Sequence, residues 1–528
     1  MINDPSVSGY AAALAPFIAI LSAFVTPLLS SLFKRPQRFA FIFSEIILIL
    51  NMFLTLVTAY YVFITRDIII YMFAAFPPPF GIVYEIDLLN AFIGVLIGII
   101  FPIVNITAYN YLENVTKHNE WYYTIFLGLE AGLLGIAYTG DLFNLFVMLE
   151  VASITAYGLT AYLRERGRPL NAAIKYGLIG AVGSTIYFLA VVLLYSGLGT
   201  LNMADVASKA LGLELFHTMG TAIDVGNVLI LFTALAVWAF MIEAAIFPHH
   251  FWLPDAYSSM PPVAAATMAA VAEGVSVYVI IRLIYTVVGI EYSSWILYLL
   301  LFLGSLNIVV GGYLMAVSKD MKRLIAYSTV LDMGYVVIGI GLGSAIGLAA
   351  TLYYIFCHAI VKPLLFISVG AIESLTGTTY MDKVTGIAKS EPLIGIGLLI
   401  GGLAIIGIPP LNIFFAKLML FQAVLENKMY PLIIILALGS VFAFIGFTRL
   451  LYSVYGVRTK GIEFQFKITI ETKTVIMLLV VATILSGLFF IYLKNELLDP
   501  ISMYILSENG RISYIEKAYD LFKLVYSR

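Results

Sequence analysis

Long apolar runs recur along this chain from Ala11 almost to its end, each close to the roughly 20 residues that an α-helix needs to cross a bilayer core. Lipid offers no partner to an exposed backbone, so such runs must close their hydrogen bonds internally, as helices do. A soluble fold is excluded by what would have to cover it. Of 528 residues, 62% are hydrophobic and 11% charged, against about a quarter charged in ordinary soluble domains. The expected fold class is all-α, a polytopic membrane protein of about 14 transmembrane helices. Their approximate centres are Leu21, Phe53, Ile97, Gly132, Ile154, Tyr187, Leu235, Ala272, Ile308, Val330, Phe356, Leu403, Ile435 and Thr483.

Charge placement gives an orientation. Counting spans in order, the connections 1-2, 3-4, 5-6, 9-10, 11-12 and 13-14 hold nearly all the loop Lys and Arg, while the opposite connections hold only Arg66, Lys209 and Lys428. The basic side is expected to face the cytoplasm of the plasma membrane, and an even span count then puts both termini outside. Met1 to Tyr10 contains Asp4 and no basic residue, unlike a cleaved signal peptide, so the first run is expected to be a retained helix. Ile512 to Arg528 alternates apolar and charged residues at roughly helical spacing, which predicts a surface helix at the interface or against a partner.

Ionisable groups in apolar spans are costly and gather where water, a partner or the bundle interior receives them. Here they are Glu45, Glu130, Glu150, Glu243, Glu273, Arg282, Asp332, His358, Lys362, Lys417 and Arg449. So many suit a buried polar axis better than isolated structural pairs. Glu150, in DLFNLFVMLEVASITAYGLTAY, is either a proton-relay carboxylate or the buried partner of a cation. His358 and Lys362 are four residues apart in YYIFCHAIVKPLLF and share a helical face, either as alternating proton sites or for packing. Asp332, a little over two turns beyond Arg323 in SKDMKRLIAYSTVLDMGY, is expected to be buried. The lone Cys357 is expected to be a small packed residue.

Two spans carry helix breaks. EAAIFPHHFWLPDA, Glu243 to Ala256, contains Pro248, which removes a backbone donor. Its adjacent histidines point apart with no cysteine nearby, so a polar mouth or hinge is expected there and a zinc site is not. GLAIIGIPPLNIFFAKLML contains Pro409 and Pro410, with Lys417 following. Broken helices are tolerated where the freed groups line a cavity, as in transporters, although a simple bend uses the same physics.

DLFNLFVMLE, FPHHFWLPDA, DMKRLIAYSTVLDMG, YYIFCHAIVKPLLF and GIPPLNIFFAK, taken together and in order, resemble the antiporter-like membrane subunits shared by respiratory complex I, Mrp-type cation/proton antiporters and membrane-bound hydrogenase-type complexes. The likeness covers most of residues 120 to 455 and is closest to Mrp D-like and hydrogenase-group members. It implies helices 1–3 in residues 1–112, two inverted five-helix repeats in 113–290 and 291–456, each with a proline-broken helix, and helix 14 with an amphipathic tail in 457–528. It implies that Glu150 matches the essential glutamate of the first repeat, His358 and Lys362 the connecting pair, and Lys417 the charged residue of the second broken helix.

There are departures. Glu243 stands where the family usually has lysine, Glu273 is the nearest ionisable group to the usual lysine or histidine of the next helix, and Asp332 stands where histidine or glutamine is common. With Glu243 near Glu150, two acids share a proton or a cation in place of an ion pair. The expected function is translocation of protons, sodium or both by one subunit of a multisubunit redox-driven or antiporter complex, with Glu150, Glu243, Glu273, Asp332, His358, Lys362 and Lys417 as relay positions. A degenerate, purely structural subunit and an autonomous transporter of a small organic solute are the alternatives. The chain has no cysteine cluster, P-loop or dinucleotide fingerprint. No cofactor is therefore expected in it, and iron-sulfur or metal redox centres are expected only in partner membrane-complex subunits.

Overall fold

A computed structural model of the chain describes residues 5–113, 115–116, 119–213, 215–216, 218, 224–457 and 468–526. Lys117, Arg458, Lys460 and Lys467, which contribute to the charge asymmetry, lie outside them, as do the last two residues of the tail. The fold is a helical bundle with one small hairpin. Helices α1 (Pro5–Ser30) and α2 (Pro36–Thr65) lead into strands β1 (Ile69–Met72) and β2 (Val83–Ile86), which pair antiparallel with Ile70 opposite Glu85. Then come α3 (Leu88–Asn105), the short α4 (Ala108–Glu113), α5 (Glu120–Tyr138), α6 (Leu142–Ala161), α7 (Arg168–Leu198), the short α8 (Met203–Ala210) and α9 (Val225–Glu243).

After the first break follow α10 (Trp252–Ser259), α11 (Pro262–Thr267) and α12 (Glu273–Ile281). Wide π turns at Met268–Ala272 and Arg282–Val288 make α11 and α12 parts of one long span. Next are α13 (Ile290–Val317), α14 (Met321–Gly341) and α15 (Ala345–Thr376). The second broken helix comprises α16 (Pro392–Ile406) and α17 (Asn412–Glu426). It is followed by α18 (Pro431–Tyr455), α19 (Ile470–Leu488), α20 (Phe490–Leu493), α21 (Asp499–Leu506) and α22 (Glu508–Tyr526).

Among the described residues, 12 helices are long and apolar enough to cross a membrane, and the chain is a multi-pass membrane protein. The expected fourteen also counted α5, which carries Glu120 and Glu130, and α16, which is a half-span of 15 residues continued by α17. The connections fall on two faces. One carries the basic loops. There Asp320 pairs with Tyr380 and the Met321 amide donates to the Thr379 carbonyl at 2.9 Å.

The other, the hairpin face, gathers β1 and β2, the Thr139–Asp141 turn, α8 and α22. The Gly140 amide donates to the Val83 carbonyl at 2.9 Å, and Lys517 of α22 pairs with Asp67 at 2.7 Å. The predicted tail helix is therefore docked against the chain's own hairpin face, with Tyr514, Ile515 and Ala518 buried.

Between lipid-facing apolar surfaces there is no hydrophobic drive to associate, so helices in a membrane hold by close packing, often through small residues. α13 and α14 meet this way. A Cβ on Gly334 would stand 2.8 Å from the Gly304 carbonyl and 2.9 Å from the Ile308 amide nitrogen, both backbone atoms that cannot yield. Because Gly334 lies two residues from Asp332, this contact also fixes where that carboxylate sits. Gly334→Val is expected to force the two helices apart, to cost about 1–3 kcal/mol, and to lower the unfolding temperature of the protein in detergent, while Gly212→Ala, facing open space in a loop, serves as the local-strain control.

Candidate functional site

α14 and α15 run antiparallel and turn their polar residues toward one another. Asp320 caps α14 by accepting from the Arg323 amide at 3.0 Å, and Ser344 caps α15 through the Gly347 amide at 3.2 Å. These caps fix where each helix begins, and with it the register of everything beyond. Near the basic face, Lys322 pairs with Glu373 at 2.6 Å beside an open cleft lined also by Arg168, Arg323 and Tyr380. Deeper in, Lys362 contacts the Ser328 hydroxyl at 2.5 Å and pairs with Asp332 at 2.7 Å.

Asp332 is wholly buried and serves several groups at once. Its Oδ2 faces Lys362 and, at 3.7 Å, His358 Nε2, while its Oδ1 accepts from the Tyr354 hydroxyl at 2.7 Å. Tyr354, His358 and Lys362 recur at four-residue intervals, so one face of α15 presents all three. Tyr354 stacks on Tyr335, with ring centroids 5.6 Å apart. Tyr335 in turn carries Lys417 over its ring at 4.7 Å, and its hydroxyl stands 3.4 Å from the Ser440 hydroxyl, which Lys417 also reaches, at 3.1 Å.

The second break explains Lys417. Gly407 adopts φ +90°, a left-handed helix stop, and Pro409 and Pro410 cannot continue the ladder. The last carbonyls of α16 are left without backbone donors, and the Lys417 ammonium takes those of Ile405 and Ile406 at 2.8 and 3.2 Å. A cation at a helix C-terminus is favoured by the helix dipole as well.

The first break has the opposite charge. Glu243 is the last residue of α9, and the Ile242 carbonyl accepts from the Ala245 amide and the Trp252 indole, each at 3.1 Å, with no cation on it. Pro248 lies in the break, where the Phe247 amide donates to Asn307 at 2.8 Å. Glu243 is buried with its Oε1 unpartnered, in a cavity shared with Ser153, Tyr176, Trp252 and Ser276. Glu150 is within its electrostatic reach. Glu150 itself is only partly buried. It shares a stripe of α6 with Val147 and Ile154, which are 38% and 68% exposed.

Tyr176 and Tyr257 are each within electrostatic reach of both Glu243 and Glu273, and Tyr257 donates to Glu273. Glu273 lies within the field of Lys362. The seven candidate positions are linked by contact from Lys362 through Asp332 to His358, and by electrostatic reach from Glu150 to Glu243, from Glu273 to Lys362 and from Asp332 to Lys417.

Other intramembrane charges belong elsewhere. Glu45 accepts from Asn105 and Glu130 from Asn51, each at 2.8 Å. Arg282 pairs with Asp87 near the hairpin face at 2.6 Å, and Arg449 donates to the Ala316 carbonyl. Asp255, in the proline-rich motif, is an anchor at the basic face, held by Lys175 at 2.8 Å and by Arg323. Among the described residues no three His, Cys, Asp or Glu side chains are grouped to hold a metal ion. Sequence reasoning missed Tyr354, Tyr335, Ser328 and Ser440. Tyr354 carried a usable signal, four residues before His358, whereas Ser440 lies on a helix distant in sequence and carried none.

Residues 139–445 match the transmembrane family described as NADH:quinone oxidoreductase/Mrp antiporter. NADH-quinone oxidoreductase subunit N of Desulforudis audaxviator is 35% identical over 387 residues, covering 73% of this chain and 75% of that protein. Among solved structures, a chain of the membrane-bound sulfane sulfur reductase, an archaeal respiratory membrane complex, superposes with a TM-score of 0.85 at 28% identity, covering 96% of this chain and 99% of that one. A chain of the Mrp complex from Dietzia sp. DQ12-45-1b gives 0.84 at 22% identity, covering 97% and 99%, which speaks for the fold alone. These intramembrane charged groups are carried on the fold of the family the sequence matches, and the chain belongs to the NADH:quinone oxidoreductase/Mrp antiporter transmembrane family.

Proposed function

We propose that this chain is an ion-translocating subunit of a larger redox-driven or antiporter membrane complex, moving protons, or protons and sodium, along the row from Glu150 to Lys417. The observation that carries this reading is the run Lys362, Asp332, Tyr354, Tyr335, Ser440 and Lys417, in which each group stands against the next at the distances given above. Residues 113–290 and 291–456 would form two inverted repeats, one around each broken helix. Redox centres would belong to neighbouring subunits. The Lys and Arg asymmetry would put the basic face in the cytoplasm and both termini outside the plasma membrane.

The physics of the relay is competition for one carboxylate. Asp332 neutralises Lys362, and a proton arriving on His358 competes for the same oxygen. At an effective dielectric constant near 20, unit charges about 4 Å apart interact by about 4 kcal/mol, roughly three decades of proton affinity. A charge that appears or disappears at one position therefore changes occupancy at the next. Tyr335 and Tyr354 supply the polar, polarizable surface between Asp332 and Lys417. In the first half, two carboxylates repel each other, and a proton or sodium ion held between Glu150 and Glu243 removes that repulsion.

The same pair of acids is the observation that favours the second reading, a structural subunit whose first half no longer conducts. Lys417→Ala is expected to cut proton or sodium flux at least tenfold in the reconstituted complex while leaving assembly intact, and unchanged flux would sink the relay. Glu243→Lys is expected to alter the sodium dependence of flux. If no ion flux responds to it, the structural reading of the first half gains the stronger position.

A further inference from the structure

The first helix break is tied to α14 through one side chain. Ala245, just past the end of α9, has φ +52°, a left-handed conformation that is costly for a residue with a Cβ, and the chain turns out of the helix there. The amides of Ala244, Ala245 and Ile246 still reach carbonyls of α9, those of Phe240, Ile242 and Met241. The Phe247 amide instead donates to Asn307 Oδ1 of α13 at 2.8 Å.

Asn307 is wholly buried, and its other amide atom is used as well, with Nδ2 donating to the Val330 carbonyl of α14 at 2.8 Å. Its orientation is fixed by its partners, since only the oxygen can accept from an N–H and only the nitrogen can donate to a carbonyl. One short side chain thus bridges the break and Val330, two residues before Asp332.

α13 and α14 are packed to move as one body. A Cβ on Gly311 would stand 2.8 Å from the Leu331 amide nitrogen, the counterpart of the Gly334 contact with Gly304. A pull on Asn307 therefore displaces α14 together with α13 against α15. Asp332 is sensitive to that displacement. Lys362 and His358 lie one turn apart on α15, and both face its Oδ2, at 2.7 and 3.7 Å, so sliding α14 toward either changes which of them holds the carboxylate. At the other end of the bridge, Glu243 closes α9 four residues before Phe247, where the helix dipole opposes a negative charge and Glu150 adds to the opposition. Neutralising Glu243 removes that repulsion and lets the end of α9 relax, and the Phe247 amide is carried with it.

We propose that Asn307 is a positioning residue that couples the two halves of the chain: occupancy at Glu243 sets, through the bridge from Phe247 to Val330, how Asp332 divides between Lys362 and His358. This coupling rests on the ion-translocating reading. It adds a mechanical route between the two breaks along which no proton has to pass.

Infrared difference spectra of the intact complex in proteoliposomes, with proton flux measured on the same samples, test the coupling. The carboxylate band of Asp332 is identified as the one displaced in Asp332→Glu. It is expected to shift when Glu243→Lys reverses the charge at the first break. The shift is expected to be lost when Glu243→Lys is combined with Asn307→Leu, which keeps the branched shape and makes neither hydrogen bond. Flux in Asn307→Leu is expected to fall about tenfold with assembly retained. In Asn307→Asp the neutral carboxyl reproduces both bonds, and the ionised one loses the donor to Val330. The response of the Asp332 band to Glu243→Lys is therefore expected to be present at low pH in that background and to fade as the pH rises.

A band that shifts as much in Asn307→Leu as in wild type, or in neither, overturns the bridge. With Lys417→Ala inactive in the same assay, the translocating reading then stands without it. Full flux in Lys417→Ala instead overturns the translocating reading, and the coupling role with it. If Asn307→Leu does not assemble, Asn307→Asp decides, and a response that stays constant across pH overturns the bridge.

Discussion

The pairing of Asp332 with Lys362, between α14 and α15 in an interior without water-facing surface, is the interaction on which the rest depends. Taking two charges out of water costs several kcal/mol each, and mutual attraction offsets that only when further hydrogen bonds complete both groups. Here Ser328 completes Lys362 and Tyr354 completes Asp332. Removing one partner of such a pair typically costs about 3–5 kcal/mol, because the survivor is left as an uncompensated buried charge. The glycine contact between α13 and α14 and the caps at Asp320 and Ser344 matter because they hold the two helices in the register this pair requires.

A broken helix is the second constraint. Ending α16 in mid-span leaves carbonyls that lipid cannot satisfy, and Lys417 satisfies two of them with a charge that faces Tyr335 and Ser440. The break and the cation are therefore one device. The proline pair stops the helix, the exposed carbonyls create a site for a cation, and the cation is the far end of the run that begins at Lys362.

Composition and periodicity made the helical membrane architecture legible, because 20-residue apolar runs have few other uses. The i, i+4 spacing exposed His358 and Lys362 as neighbours, and the proline motifs marked both breaks. What sequence could not show was convergence. Asp332 meets Lys362 across 30 residues of chain, and Ser440 meets Lys417 from a separate helix. Such contacts come from packing and leave no local periodicity. Glu150 shows another limit: its place within a span is legible, but the rotation of α6, which sets it on a stripe with exposed Val147 and Ile154, is weakly encoded when nearly every face is apolar.

The two helix breaks hold opposite charges. At α16 the terminal carbonyls are served by an ammonium. At α9 neutral donors, the Ala245 amide and the Trp252 indole, serve the Ile242 carbonyl, and the adjoining position is a carboxylate. The helix dipole opposes an anion at that end, and Glu150 adds a second negative charge nearby. The unpartnered oxygen of Glu243 lies at a cavity lined by Ser153, Tyr176 and Ser276, and under the proposed relay this is the point at which a proton or sodium ion would neutralise the two acids.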